Sequence, residues 1–337
     1  MNTNRILVTG GAGYIGAQTC KALAAAGHVP VAFDDLSNGH AEAVRWGPLV
    51  RGDVRDDAAL TEAMRAHQVS GVVHFAGLIE VGRSVSAPDL FWDHNVNGVA
   101  AVLRAMRQSD VRRIVFSSTA AVYGQPADNA ALSETLPTQP INPYGDSKLA
   151  GERLIAASCA AYGLEGVALR YFNAAGADPD GEIGEAHQPE THLIPLAIEA
   201  ALGAGKPLTV FGEDFDTPDG TCVRDYIHVA DLARAHVLAL EAPMTAGGFE
   251  AMNLGTGQGC SVRAILEAVG EACGQPVPYS VGPRRAGDPP VLVANPGRAR
   301  ERLGWRAERS DLKAIMADAV AWRRGPGFSR TGLESPP

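Results

Sequence analysis

The segment Asn142-Pro-Tyr144-Gly-Asp-Ser-Lys148 sets a phenol and an ammonium four positions apart. On a helix, residues i and i+4 lie on one face, so the two side chains can meet from neighbouring turns. A free tyrosine titrates near ~10 and is a poor base at neutral pH, while a close opposite charge favours the phenolate by ~1–3 units. Such a pair suits proton transfer. The plainer alternative is an amphipathic surface helix with a coincidental pair. The chain has 7 Tyr and few Lys, so chance seldom produces Tyr-x-x-x-Lys, but the pair alone assigns no activity.

The elements that must position it follow from the neighbouring sequence. Pro143 is preset for a first helical turn, and Leu149, Leu154 and Ile155 recur with helical spacing, predicting a helix over about 142–161. At the start of the chain the apolar run Arg5–Thr9 is followed by Gly10-Gly-Ala-Gly13-Tyr14-Ile15-Gly16 and an alanine-rich helical stretch to Gly27. Val31–Phe33 then ends at Asp34-Asp35. Strand, glycine turn, helix, strand and carboxylate in this order form the dinucleotide-binding pattern. Glycines let the backbone approach a pyrophosphate at the positive helix N-terminus, and Asp34 is placed to accept from a ribose 2′-hydroxyl. A carboxylate there repels a 2′-phosphate, which favours NAD over NADP. Pro30 is compatible if it is the strand's first residue. A glycine-rich turn that binds no nucleotide is the alternative, and the complete context argues against it.

Further apolar strands are expected to end at Asp53, at Phe75-Ala76-Gly77 and at Ser117-Ser118-Thr119, with helical stretches between them. This predicts an α/β fold, a doubly wound parallel (Rossmann) sheet, with ligands outside the carboxyl ends of its strands. At 337 residues the chain has room for about two domains. We expect an NAD-binding domain over 1–176 and a smaller mixed α/β domain over 177–337, with segments such as Asn253-Leu-Gly255 returning to the first.

Charge and cysteine content narrow the function classes. The net charge of −9 and the lack of a basic run argue against nucleic acid. No apolar run approaches the ~18 residues of a membrane span, and the first residues enter a strand without a signal-peptide pattern, so a cytoplasmic protein is expected. Five scattered Cys, without Cys-x-x-Cys or His-x-x-x-His, suggest reduced thiols and no metal site. Most of the 29 cations are arginine, which suits bidentate phosphate contacts. The end, from Gly325 on, reads as a loose tail.

TGGAGYIG, SSTAAVYG and YGDSK together resemble the extended short-chain dehydrogenase/reductase family. Within it, HFAGLIEVGRSV, NVNG, RYFNAAGADPDGEIGE, HLIP, FGEDFDTPDGTCVRDYIHVADLA, NLGTG and PRRAGD are similar to the UDP-glucose 4-epimerase family, over about residues 5–323. The resemblance implies reversible oxidation of the sugar C4 with tightly bound NAD. Tyr144 would be the base, Thr119 its hydroxyl partner and Lys148 a contact of the nicotinamide ribose. The implied cofactor contacts are Gly10, Gly13, Tyr14, Ile15, Gly16, Asp34, Asp35, Asp53, Val54, Phe75, Ala76, Gly77, Asn95, Tyr144, Lys148 and Tyr171. The implied UDP-sugar contacts are Thr119, Tyr144, Asn173, His192, Leu193, Thr209, Phe211, Arg224, Arg285 and Asp288, with the two arginines on the diphosphate. Each arginine could equally serve a surface ion pair, and His192 a buried, satisfied role. A homodimer packed through helices near 88–107 and 142–161 is implied as well.

The chain departs from the family pattern at four positions. Thr119 keeps the hydroxyl of the more usual Ser. Ile79 replaces a lysine found near the cofactor in some members, and His192 replaces Asn. Leu292 occupies a position where size governs room for an N-acetyl group, and leucine is intermediate. Rival readings are a dehydratase, an epimerase or decarboxylase for another UDP-sugar, and a non-catalytic NAD sensor. A dehydratase needs an acidic pair directly after Thr119, where this chain has Ala120 and Ala121. A sensor would be expected to lack Tyr144, Lys148 or the 119 hydroxyl, and all three are present.

Overall fold

A computed structural model describes residues 4–126, 129–285 and 288–328. The first half runs β1 (Arg5–Thr9), α1 (Tyr14–Ala25), β2 (Val29–Asp34), β3 (Leu49–Arg51), α2 (Asp57–Ala66), β4 (Val69–His74), α3 (Val81–Ser86) and α4 (Pro88–Phe91). A π-helical turn (Trp92–Asn97), α5 (Gly98–Gln108), β5 (Arg113–Thr119), a 3₁₀ turn (Ala120–Tyr123), α6 (Pro143–Tyr162) and β6 (Glu165–Tyr171) follow. The second half adds β7 (Asn173–Ala175), α7 (Leu193–Ala201), β8 (Leu208–Phe211), β9 (Val223–Arg224), β10 (Tyr226–His228), α8 (Val229–Glu241) and β11 (Phe249–Leu254). It closes with β12 (Cys260–Ser261), α9 (Val262–Cys273), β13 (Tyr279–Gly282), β14 (Val291–Leu292), α10 (Gly297–Leu303) and α11 (Leu312–Arg324). Among the described residues, no helix is long and apolar enough to cross a membrane.

Seven strands form one sheet in the order β11-β6-β5-β4-β1-β2-β3, and every neighbouring pair is parallel. Parallel strands covered on both faces need apolar side chains on both, which is how RILVT and RIVFSST read. One face packs on α2, α5 and α6 through Leu60, Met64, Val99, Met106 and Ile155. The other packs on α1 and α8 through Cys20, Leu23, Leu232 and Ala235. A third core joins α7, α9 and α11 through Ile198, Ile265, Val269 and Ile315. β11, which ends at Asn253-Leu254, pairs with β6 at the edge of the large sheet. Trp305, 1% exposed, fills the α1/α8 side of the core, and its Nε1 donates to the Asp231 carbonyl at 2.9 Å.

Local chemistry explains the helix that carries Tyr144. Asn142 caps α6 by accepting from the Gly145 N–H at 2.9 Å, Pro143 fills the first turn, and Gly163 ends the helix at φ 69°. Gly145 and Gly151 let α6 approach closely. A Cβ on Gly145 would lie 2.7 Å from the Ala121 carbonyl oxygen, and one on Gly151 would lie 3.0 Å from the Phe116 ring.

Two expectations need correction. Pro30 is the second residue of β2, not the first. The Val29 N–H donates to β1's side, at the Asn4 carbonyl, and the Ala32 N–H donates to the Pro48 carbonyl on β3's side. By alternation, the missing N–H of Pro30 faces β3, whose pairing starts only at Ala32. The expected loose tail is packed at its start, because Phe328 stacks on His40 at 4.9 Å and meets Trp322 edge-on at 4.9 Å. Residues 329–337 lie outside the described residues.

Trp305→Ala should lower stability by about 3–5 kcal/mol, the usual cost of emptying a fully buried aromatic site. Urea unfolding of the two proteins checks this, and a change below about 1 kcal/mol would mean that the segment after β11 is not part of the sheet's core.

Candidate active site

β1 lies between β2 and β4, so the connections that follow β1 and β4 run to opposite sides and open a crevice at their carboxyl ends. The glycine turn lines it. Gly10 adopts φ 71°, and a Cβ on it would lie 2.8 Å from the Ala76 nitrogen. A Cβ on Gly16 would come 2.0 Å from the Gly10 carbonyl oxygen, whereas one on Gly13 would meet only that oxygen, at 3.3 Å. Gly13 begins α1 with no side-chain cap and no acidic residue in the first turn. The first amide donors of α1, at Tyr14 and Ile15, are thus left for an anion.

Asp34 ends β2, 8% exposed. It accepts from the Ala12 N–H and the Leu36 N–H, each at 2.9 Å, and burial raises its pKa. Each carboxylate oxygen keeps a lone pair for a ribose hydroxyl donor. Asp35 accepts from Ser37 N–H at 2.8 Å on the exposed rim. After β4, the N–H groups of Phe75 and Ala76 both donate to the Thr9 carbonyl, at 3.0 and 3.1 Å, which holds Phe75-Ala76-Gly77 beside Gly10. These residues fit a dinucleotide: a glycine-lined cradle, an uncapped helix start and a buried carboxylate at the end of the second strand.

Several side chains in the expected cofactor set are engaged by the protein itself. The Tyr14 hydroxyl donates to the Gly176 carbonyl at 2.7 Å, and the Phe75 ring packs against His236 at 4.6 Å. Asn95 Oδ1 accepts from Leu78 N–H at 2.7 Å, and its Nδ2 donates to Ser147 Oγ at 2.9 Å. β3 ends at Arg51, two residues earlier than expected, so Asp53 lies beyond the strand, and the hydrogen bond from Arg55 lowers its pKa to about 2. Val54 is buried against the start of α5 at Gly98. Ile79 is exposed.

Thr119 ends β5, and α6 brings the Tyr144 phenol near enough for the Thr119 hydroxyl to lower its pKa. Thr119 Oγ1 also accepts from the Ala121 N–H at 3.1 Å, which fixes its orientation. Lys148, 3% exposed, donates to the Ser117 carbonyl at 3.0 Å and lies 5.1 Å from the Phe116 ring centroid. Gly77 approaches the same point, since a Cβ on it would lie 3.7 Å from Lys148 Nζ. Glycine crevice and phenol–ammonium pair therefore form one site. Tyr171 ends β6 with its hydroxyl bonded to Ser117 Oγ.

The electrostatics differ from the simple expectation. Burial pushes the Tyr144 phenol up to about 12, with Thr119 pulling it back, and burial brings the Lys148 ammonium down to about 8. Desolvation is the largest cause at both groups, and only the Thr119 hydroxyl lowers the phenol. At neutral pH the protein alone holds a neutral phenol beside a still largely charged lysine.

On the second half of the chain, Arg224 and Arg285 converge on Asp288. Arg285 Nε donates to Asp288 Oδ2 at 2.8 Å, and Arg224 Nη2 lies 3.9 Å from Oδ1. Arg224 is held by the Pro289 carbonyl at 2.9 Å, while Arg285 lies over the exposed Phe211 ring at 5.0 Å. Thr209 shares β8 with Phe211, and Asn173 N–H donates to the Asp225 carbonyl, next to Arg224, at 3.0 Å. Leu292 on β14 packs with Val122, Tyr123, Leu132 and Leu149, near the base of the site.

His192 starts α7, followed by Leu193. Its Nδ1 lies 2.8 Å from Glu185 and 2.9 Å from Glu190. Burial opposes its charge, but the two carboxylates satisfy its Nδ1 and raise its pKa to about 10. With His187, these residues place potential metal-ligating atoms within 4.8 Å, a grouping that the sequence spacing did not announce. The carboxylates are already engaged, by His187 and His192 and, for Glu190, by Arg323 at 3.1 Å. Ser117 was also missed as a partner of both Lys148 and Tyr171; it was visible only as a small polar residue at a strand end.

This fold and site define a class. Residues 6–255 match the NAD dependent epimerase/dehydratase family, and the chain belongs to it. Within that class, it is 50% identical over 329 residues to the UDP-glucose 4-epimerase of Rhizobium meliloti (strain 1021), covering 97% of this chain and 100% of that protein. The crystal structure of UDP-glucose 4-epimerase from Brucella ovis in complex with NAD superposes with a TM-score of 0.92 at 51% identity, over 94% of this chain and 98% of the other. That from Bifidobacterium longum, in complex with NAD+ and UDP, gives 0.90 at 37% identity, over 95% and 98%.

Gly16→Ala should leave the protein without bound NAD, because its methyl group and the Gly10 carbonyl cannot share the same space. Cofactor released on denaturation, quantified per chain, checks this; full occupancy in the variant would place the dinucleotide elsewhere.

Proposed function

We infer that this chain interconverts UDP-glucose and UDP-galactose by transient oxidation at C4 with tightly bound NAD. The observation that carries the reading is the convergence of Thr119 at the end of β5 with Tyr144 and, one helical turn on, the buried Lys148, whose Nζ donates to the Ser117 carbonyl at 3.0 Å and borders Gly77 of the glycine-lined crevice. Near-identical length and about 50% identity to curated epimerases support it.

When bound, NAD supplies reversible hydride acceptance at C4, so the reaction needs no external oxidant. The chain's residues do the rest. Gly10, Gly13, Gly16 and the start of α1 hold the pyrophosphate, and Asp34 a ribose hydroxyl. Lys148 orients the second ribose, and its charge favours the phenolate. Tyr144 takes the proton of the C4 hydroxyl, directly or through Thr119, as the hydrogen and its electron pair leave C4. Arg224 and Arg285 grip the diphosphate through their planar forks, with Asp288 setting their orientation. His192, held by Glu185 and Glu190, and Leu193 line the nucleotide from the start of α7. With the nucleotide held and the hexose free, the 4-keto sugar can turn over and be reduced on its other face. The same Tyr144 then returns the proton.

Ala120 and Ala121 offer methyl groups where elimination of water would need an acid and a base, which disfavours a dehydratase. We take 1–176 as the cofactor unit, with β11 added to it, and the rest as the sugar-nucleotide unit. A cytoplasmic homodimer is our expectation for the assembly, packed through α4, α5 and α6. Trp92, 44% exposed, and Tyr162, 51% exposed, are suitable contacts.

Tyr144→Phe should abolish turnover of UDP-galactose by at least about 1,000-fold while NAD remains bound, since it removes one oxygen from the proton path. A coupled assay on the holoenzyme, run alongside UDP-N-acetylgalactosamine and UDP-arabinose, checks both base and sugar. Parent protein that converts none of the three without added oxidant would refute the reading.

A further inference from the structure

Tyr144, Lys148 and Glu152 stand at successive i+4 steps along α6. Phenol, ammonium and carboxylate therefore follow one another along the helix into the sheet. Glu152 is 3% exposed, and its partner Arg170, on β6, is 6% exposed. Glu152 Oε1 accepts from the Ser118 hydroxyl at 2.5 Å and from Arg170 Nε at 2.8 Å, and Oε2 accepts from Arg170 Nη2 at 2.5 Å. Arg170 Nη1 donates to the Tyr123 hydroxyl at 3.1 Å, and that hydroxyl donates to Asn253 Oδ1 at 2.7 Å. Asn253 Nδ2 completes the chain at the Leu132 carbonyl, 2.8 Å away.

The sequence neighbours of this network are the reacting groups. Ser118 precedes Thr119. Arg170 precedes Tyr171, whose hydroxyl bonds to Ser117, and the Ser117 carbonyl receives Lys148. One carboxylate thus ties together α6, β5 and β6, the three elements that carry the site. Net stability is a weak reason for such a pair, because a buried ion pair is often no better than apolar side chains of the same volume. What two parallel bonds to a guanidinium do supply is a fixed distance and orientation.

We propose that Glu152 is a positioning residue for the epimerase reaction. Through Ser118 and Arg170 it sets the depth and rotation of α6 on β5 and β6, and so the placement of Tyr144 and Lys148 against Thr119. Misplacement of reacting groups by about 1 Å can cost ~100-fold in rate, so a remote anchor of this kind has a kinetic signature. The inference rests on the function proposed above.

The test uses NAD-loaded Glu152→Gln, assayed well below its own melting temperature. The amide cannot balance Arg170, and α6 should shift. We expect kcat to fall by at least about tenfold while KM stays within about twofold and one NAD per chain is retained, with a larger deuterium isotope effect at C4 as oxidation becomes limiting. Ser118→Ala removes a single bond without leaving a buried charge, and should lower kcat about three- to tenfold in the same pattern. A folded Glu152→Gln enzyme with the parent's kcat and isotope effect would overturn the proposal. If that variant does not fold, an unchanged kcat in Ser118→Ala would overturn it. An inactive parent would remove the epimerase reading and this one with it, whereas an active parent with equally active variants would remove this one alone.

Discussion

A phenol and an ammonium can share a dry site only if the backbone around them is fixed, because water no longer compensates for misplaced charge. Tyr144 and Lys148 are in that situation. Burial drives both toward their neutral forms, the phenol to about 12 and the lysine to about 8. What keeps the pair usable is oriented polar groups: the Ser117 carbonyl that accepts from the ammonium, and the Thr119 hydroxyl, which lowers the phenol's pKa. All of these sit at the carboxyl end of β5. The cost of desolvation is thus matched by preorganisation, and bound positive charge has a large effect there because little water screens it.

The remainder of the architecture serves that arrangement. The order of the strands opens a crevice at β1, Gly10 and Gly16 let the backbone that lines it pack closer than a Cβ allows, and Gly145 and Gly151 bring α6 down to β5. The second half of the chain contributes a different chemistry. There the charges are exposed or paired at the rim, as in Arg224, Arg285 and Asp288, where they can exchange one anionic partner for another. A rigid reacting centre beside a more adaptable grip suits a substrate whose nucleotide stays put while its sugar turns.

What the sequence disclosed was local. The Tyr144–Lys148 spacing, the Pro143 start of α6, the glycine turn with Asp34 and the small residues at strand ends each lie within one element or one turn, and periodicity reveals them. The hidden features depend on contacts between distant segments. Glu152 meets Arg170 only because α6 crosses β6, and Glu185 meets His192 only through the fold of the loop before α7. Pro30 was readable as a misfit, but its tolerance depends on where β3 begins to pair. Tyr14 and Asn95 belong to segments near the crevice, yet their side chains turn to the protein's own backbone, a direction that a motif does not encode. The lowering of the Tyr144 phenol by Lys148 was expected from proximity, and burial, which sequence underestimates, reversed its outcome in the protein alone.

The central claim is that cationic charge beside a buried phenol makes Tyr144 the base. The most direct measurement is the pH dependence of the single-turnover rate of sugar oxidation in NAD-loaded enzyme, compared with NAD-loaded Lys148→Met. A base works deprotonated, so the rate should rise with pH through its pKa, and losing the cation should raise that pKa. The account predicts a midpoint well below 12 in the parent and a shift of more than about one unit toward higher pH in the variant. Superimposable pH profiles in the two enzymes would contradict it.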